Sequence, residues 1–242
     1  MTVRDRNAMV VLLAVNSGLT DAAGYLTLGG AFSSVMTGNM VLLGLSLGSA
    51  AGMLALHAGA AVLAFVCGCA IGTRIAGTAR TDDPIWPRAV TRALTLQAAA
   101  MAIYAVAWWG AGGRTGPVLQ VVLLAVNALA LGVQSSAVQR FGVPGLSTTY
   151  LTGTLTTVVS RLVSGRPLRE IGHSLAILTA LIAGAVVGTL IAVHARIWVP
   201  AAQLALLGLV VCRVAARDRR LSPAHADGPD GGGRARRETA DR

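Results

Sequence analysis

Six long apolar stretches constrain this chain more than any other feature. They run over 7–28, 51–75, 89–110, 118–138, 171–193 and 198–215. At 1.5 Å of rise per residue, each is long enough to cross about 30 Å of hydrocarbon as a helix. The chain is 54% hydrophobic and only 12% charged, with a mean hydropathy of +0.66. A soluble domain would carry about a quarter charged residues. The expected fold is therefore all-α: a polytopic membrane helix bundle over 1–216. The remainder, 217–242, is Gly, Asp and Arg with almost nothing apolar, which predicts a disordered basic cytoplasmic tail.

Two further apolar stretches, 32–48 and 148–163, are shorter and rich in Ser, Thr and Gly. Charge decides between crossing and re-entry. If neither crosses, Arg4, Arg6, Arg74, Arg80, Arg88, Arg92, Arg140, Arg161, Arg166 and Arg169 share the side of the tail. Arg114 and Arg196 alone then lie opposite. If both cross, the loop from Arg74 to Arg92 falls on the wrong side. Basic residues collect on the cytoplasmic side, so six spans with two re-entrant or half-length segments are expected. Both termini then lie in the cytoplasm of a plasma membrane. The net charge of +10 follows the segment ends and the tail, so it argues for topology rather than for nucleic-acid binding.

The chain also repeats itself. "HAGAAVLAFVCGCAIGTRIA" (57–76) and "HSLAILTALIAGAVVGTLIA" (173–192) align without a gap. "GLTDAA" (18–23) matches "GVQSSA" (132–137), and "SSVMTGN" (33–39) matches "TTYLTGT" (148–154). Three ordered blocks at nearly one offset indicate a duplicated unit, one copy over about 7–112 and one over about 117–216. Each copy holds three spans, an odd number, so the second enters the membrane from the opposite side. An inverted repeat with interrupted segments at matching positions is typical of secondary transporters.

Several polar residues fall within these segments. Asp21 is the only acid deep in a span; Asn16, Ser17 and Thr20 accompany it, and Ser17, Thr20, Asp21 and Gly24 share one side of a helix. Buried charge is costly in a bilayer, so Asp21 is a candidate for proton or cation binding. The alternative is a helix that unwinds near it. Gln134 and Ser135 occupy the matched place in the second copy, and Gln97 and Asn127 are secondary candidates. Thr37, Gly38 and Asn39, with Thr152, Gly153 and Thr154, lie in the short segments. They either satisfy a broken helix locally or line a substrate path. His57 and His173 begin matched helix faces and serve either as hydrogen-bonding side chains between helices or as gating and relay groups. Gly68, Gly72, Gly184 and Gly188 continue those faces and suit close helix crossing. The expected partners are the lipid bilayer, a small-molecule substrate and, in a homo-oligomer, further copies of the chain.

No nucleophile elbow, phosphate loop or metal-protease motif is present, so enzymatic activity, a cofactor and a metal site are not expected. Cys67, Cys69 and Cys212 lie in apolar segments without metal-binding companions and read as small packing residues.

"GLTDAAGYLTLGGAFSSVMTGNMVLLG" (18–44) and "GVPGLSTTYLTGTLTTVVSRL" (142–162) resemble two motifs of the YoaK-type bacterial inner-membrane proteins, a family defined as a domain of unknown function. The resemblance spans about 7–215. It implies a polytopic plasma-membrane protein of about six spans and brings no substrate or catalytic residues. The functional expectation is a small secondary transporter for a neutral or small polar substrate, coupled to a proton or cation. A passive channel and a membrane scaffold are the alternatives.

Overall fold

The computed structural model describes residues 1–142, 151–165 and 168–221. The helices are α1 (Val3–Thr27), α2 (Met36–Gly48), α3 (Gly52–Ala76), α4 (Arg88–Gly110), α5 (Pro117–Gln139), α6 (Leu151–Val163), α7 (Leu168–His194) and α8 (Val199–Leu221). Six are long and apolar enough to cross a membrane. There is no strand among the described residues. Helix α1 starts earlier than its apolar stretch because Thr2 and Asp5 form a capping box. The Thr2 hydroxyl accepts from the Asp5 N–H, and the Asp5 carboxylate accepts from the Thr2 N–H, which satisfies donors that a helix start leaves open. The tail beyond 221, and the start of the second short stretch at 148–150, lie outside the described residues.

Helices α1 and α5 form the centre and are mostly buried. Helices α3, α4 and α7 turn Leu63, Val66, Ile103, Val106, Ile182, Val186 and Leu190 outward. Such an apolar exterior belongs in lipid. Two glycine-lined crossings hold the frame together. On α7, Gly184 meets the backbone of Val15 and Gly188 that of Leu19, while Gly18 of α1 meets Leu181. On α3, Gly68 meets Leu129 and Gly72 meets Val133, while Gly132 of α5 meets Phe65. A side chain at any of these would collide with backbone, so only glycine allows the approach. Residue numbers rise together across both contacts. Hence α1 runs parallel to α7, and α3 parallel to α5.

Helix α1 runs against α3 and α5. At one end of the bundle Arg6 lies 5.8 Å from the Phe141 ring centroid, just past α5, and Gly142 abuts Ala79, just past α3. At the other end Gly29, just past α1, abuts His57 near the start of α3. The chain therefore leaves α1 and enters α3 at the same end, and α2 does not carry it across. By the same reasoning α6 does not carry it from α5 to α7. Both short helices have 13 residues, about 20 Å of rise, less than the hydrocarbon thickness. Helix α2 packs on α3, and α6 on α7.

The two ends differ in charge. The Arg6 end also carries the Asp83–Arg140 ion pair at 2.6 Å and the Asp5–Arg217 pair. At the opposite end Trp109 donates to the Ile197 carbonyl at 2.9 Å, and Arg196 lies 5.8 Å from the Trp108 ring centroid.

Candidate functional site

The mid-helix polar residues of α1 are buried but do not share one set of partners, contrary to the expectation from their spacing. Thr20 turns to α8, where it accepts from Gln203, while Asp21 turns to the segment after α1. Asp21 is buried. One carboxylate oxygen accepts the backbone N–H groups of Ser33 and Ser34, both at 2.7 Å, and the other accepts the Ser34 hydroxyl at 2.5 Å. These bonds pull the segment after α1 back down along it. Buried donors need acceptors, and a carboxylate can accept several at once.

Asn39 clamps the same segment from α2. Its carbonyl oxygen accepts the Phe32 N–H at 2.9 Å, and its amide donates to the Phe32 carbonyl at 2.7 Å. Gly29, at φ +92, lies so close to the His57 ring that any side chain would strike it. This is a backbone conformation that favours glycine in any case. The His57 Nδ1 sits 2.6 Å from the Met53 carbonyl, and its Nε2 is buried without a partner. Asp21, Asn39 and His57 thus form one assembly around residues 28–35, at the end opposite Arg6.

The remaining short-segment candidates divide. Asn39 and Thr154 are buried at matching positions, whereas Thr37 and Thr152 are exposed on the bundle surface. Gly38 lies against Phe32 and Val35; Gly153 is half-buried. Helices α2 and α6 share no packed interface, so the two Thr-Gly motifs do not meet at the centre. His173 is half-buried near the start of α7, and its Nε2 has no partner. The residues whose sequence aligns with 28–35 lie largely outside the described set.

The polar centre forms elsewhere, where α1, α4, α5 and α8 meet. Gln97 of α4 donates to the Gln134 carbonyl oxygen at 2.8 Å, and Gln134 donates to the Ser17 hydroxyl at 2.9 Å. Gln203 of α8 donates to the Thr20 hydroxyl at 3.0 Å. All five side chains, and Asn16 beside them, are 0–1% exposed. Thr20 and Gln134 are matched positions of the two sequence copies. Gln97 thus ties α4 to α5, and Gln203 ties α8 to α1. Gln203 carries a sequence signal of its own: a lone amide within an apolar stretch, as at Gln97. Ser33 and Ser34 carry no such signal, because nothing local marks a backbone N–H that a distant carboxylate will hold.

The described residues contain no group of three or more side chains suited to hold a metal. Cys67, Cys69 and Cys212 are free thiols.

No solved structure matches the chain. Among curated proteins it is similar to the UPF0700 transmembrane protein YoaK of Bacillus subtilis (strain 168), 36% identical over 162 residues, or 66% of this chain and 68% of that protein. Residues 9–212 match the family described as protein of unknown function DUF1275. With six helices of spanning length and a match over most of its residues, the chain is a multi-pass membrane protein that belongs to the DUF1275 family.

Proposed function

We infer that the protein is a small-molecule secondary transporter of the bacterial plasma membrane, built as an inverted repeat of three spans and one half-length helix. One observation carries this reading. The two glycine crossings, α1 with α7 and α3 with α5, exchange matched residues of the two sequence copies, while the first helices of the copies run in opposite directions. Interrupted segments related in this way surround substrate sites in transporters. The end bearing Arg6, Arg140 and Arg217 is the cytoplasmic one, following the distribution of basic residues, and both termini lie there.

In this reading the Asp21–Asn39–His57 assembly closes the outer end. A proton on Asp21 would remove acceptor capacity from the Ser33–Ser34 bonds and loosen the segment, which couples proton uptake to opening. A passive channel would hold the same segments without that response.

The test joins topology and flux. Single cysteines at Ser49 and Asp82, in a background without the three native thiols, are labelled from outside intact cells. Labelling at Ser49 alone is expected. Purified protein in lipid vesicles is then assayed for proton, potassium and neutral-solute flux. Vesicles that pass none of these faster than lipid alone would refute the transport reading and favour a scaffold.

A further inference from the structure

The glutamine layer carries more than packing. Gln97 and Gln203 each spend the amide N–H on a neighbouring helix, and each leaves its carbonyl oxygen Oε1 buried without a partner. Asn16, next to the anchor Ser17 on α1, has neither its oxygen nor its nitrogen bonded. These side chains are 0–1% exposed. A buried polar atom left unpaired is destabilising, and in a bilayer no solvent repairs the loss. Natural interiors leave few such atoms without a reason. Four of them, on Asn16, Gln97 and Gln203, share one layer: Ser17 and Thr20, the anchors of the two glutamine contacts, stand about one helical turn apart on α1.

The chemistry of the layer limits its guest. The free groups are two carbonyl acceptors and one whole amide. The one acid close by in sequence, Asp21, has both oxygens engaged by Ser33 and Ser34. Among the six side chains of the layer there is no charge to balance an ion, and an unpaired ion would be costly at that depth. A guest must instead offer at least two O–H or N–H donors and accept a bond from Asn16.

We propose that Asn16, Gln97 and Gln203, with Ser17, Thr20 and Gln134 as their anchors, form the solute site, and that it takes a small neutral solute rich in O–H or N–H donors. This rests on the transport reading and narrows it to a substrate class.

The test uses the full chain in lipid vesicles, with glycerol and urea as probes in stopped-flow light scattering, beside proton and potassium flux. At least one neutral probe is expected to enter at least tenfold faster than in protein-free vesicles. Gln97→Leu and Gln203→Leu should each reduce that rate about tenfold. Because these variants break helix contacts, Asn16→Leu supplies an independent reading. It removes an unpaired amide, so thermal stability should hold or rise while flux falls. A purely structural role cannot produce that opposition. Neutral flux that all three variants leave intact would overturn the site. Ion flux without flux of either neutral probe would overturn the substrate class and leave the transport reading standing. Vesicles tight to every probe would overturn both.

Discussion

Replacing glycine by alanine at the two helix crossings gives the sharpest test of the fold. A methyl carbon sits about 3.3 Å or more from a carbonyl oxygen. At Gly188 the added carbon would lie 2.5 Å from the Leu19 oxygen, and at Gly72 2.9 Å from that of Val133; at Gly18, Gly68, Gly132 and Gly184 it would lie closer still. Relief requires these contacts to open by roughly 0.4–1.3 Å, and a gap of about 0.5–1 Å already forfeits about a quarter to a half of each displaced contact's dispersion well. Overpacking of this kind costs about 1–3 kcal/mol, offset in part by up to about 1 kcal/mol from alanine's helix preference. Gly18→Ala and Gly132→Ala should therefore each lose about 2 kcal/mol, by similar amounts, with Gly72→Ala the mildest. Gly44 and Gly208 have nothing within 4 Å, so alanine there should stabilise by up to about 1 kcal/mol. Unfolding in detergent, followed by tryptophan fluorescence, measures the series. Equal shifts at Gly18 and Gly208 would refute the packing. So would a penalty in the α1–α7 crossing with none in the α3–α5 crossing.

Other expectations follow from the segment after α1 and from the charged end. Asp21→Ala should unpair three buried donors at about 1–3 kcal/mol each, and Asp21→Asn should cost less because one acceptor oxygen remains. Hydrogen exchange at the Ser33 and Ser34 amides reports this directly, and protection unchanged in Asp21→Ala would rule out the clamp. At Asp83, burial raises the carboxyl pKa, but the Arg80 N–H and the Arg140 guanidinium outweigh it and hold the pKa below 3.8. A carboxyl lowered on folding stabilises the fold above its unfolded pKa and loses that contribution as pH falls through the folded one. The stability difference between wild type and Asp83→Asn should thus be constant near neutrality and shrink below about pH 4. A pH series of thermal unfolding checks it, and a difference that grew on acidification would contradict the assignment.

The spans were legible because hydropathy is a property of one segment and its surroundings. The stretch at 51–75 became Gly52–Ala76 and that at 89–110 became Arg88–Gly110. Glycine spacing marked close-packing faces, and sequence offsets paired Gly18 with Gly132 and Gly68 with Gly184. Thr37 and Thr152 show the limit. Repetition singled them out, but both face outward, because a motif marks a position on a chain and not the direction in which a half-length helix is turned.

The sequence by itself determined how many segments suit a bilayer, where they break, and which short blocks of residues resemble one another. All of that depends on local composition and order. Only the tertiary structure decided that α1 lies along α7 and α3 along α5. It alone turned Asp21 from a solitary buried charge into an acceptor for a folded-back segment. It also joined Gln97 to Gln134 and Gln203 to Thr20, 37 and 183 residues apart along the chain. Such pairings depend on how rigid helices pack. Where most side chains are equally apolar, hydropathy does not distinguish one neighbour from another, and close backbone approach and a few hydrogen bonds make the choice.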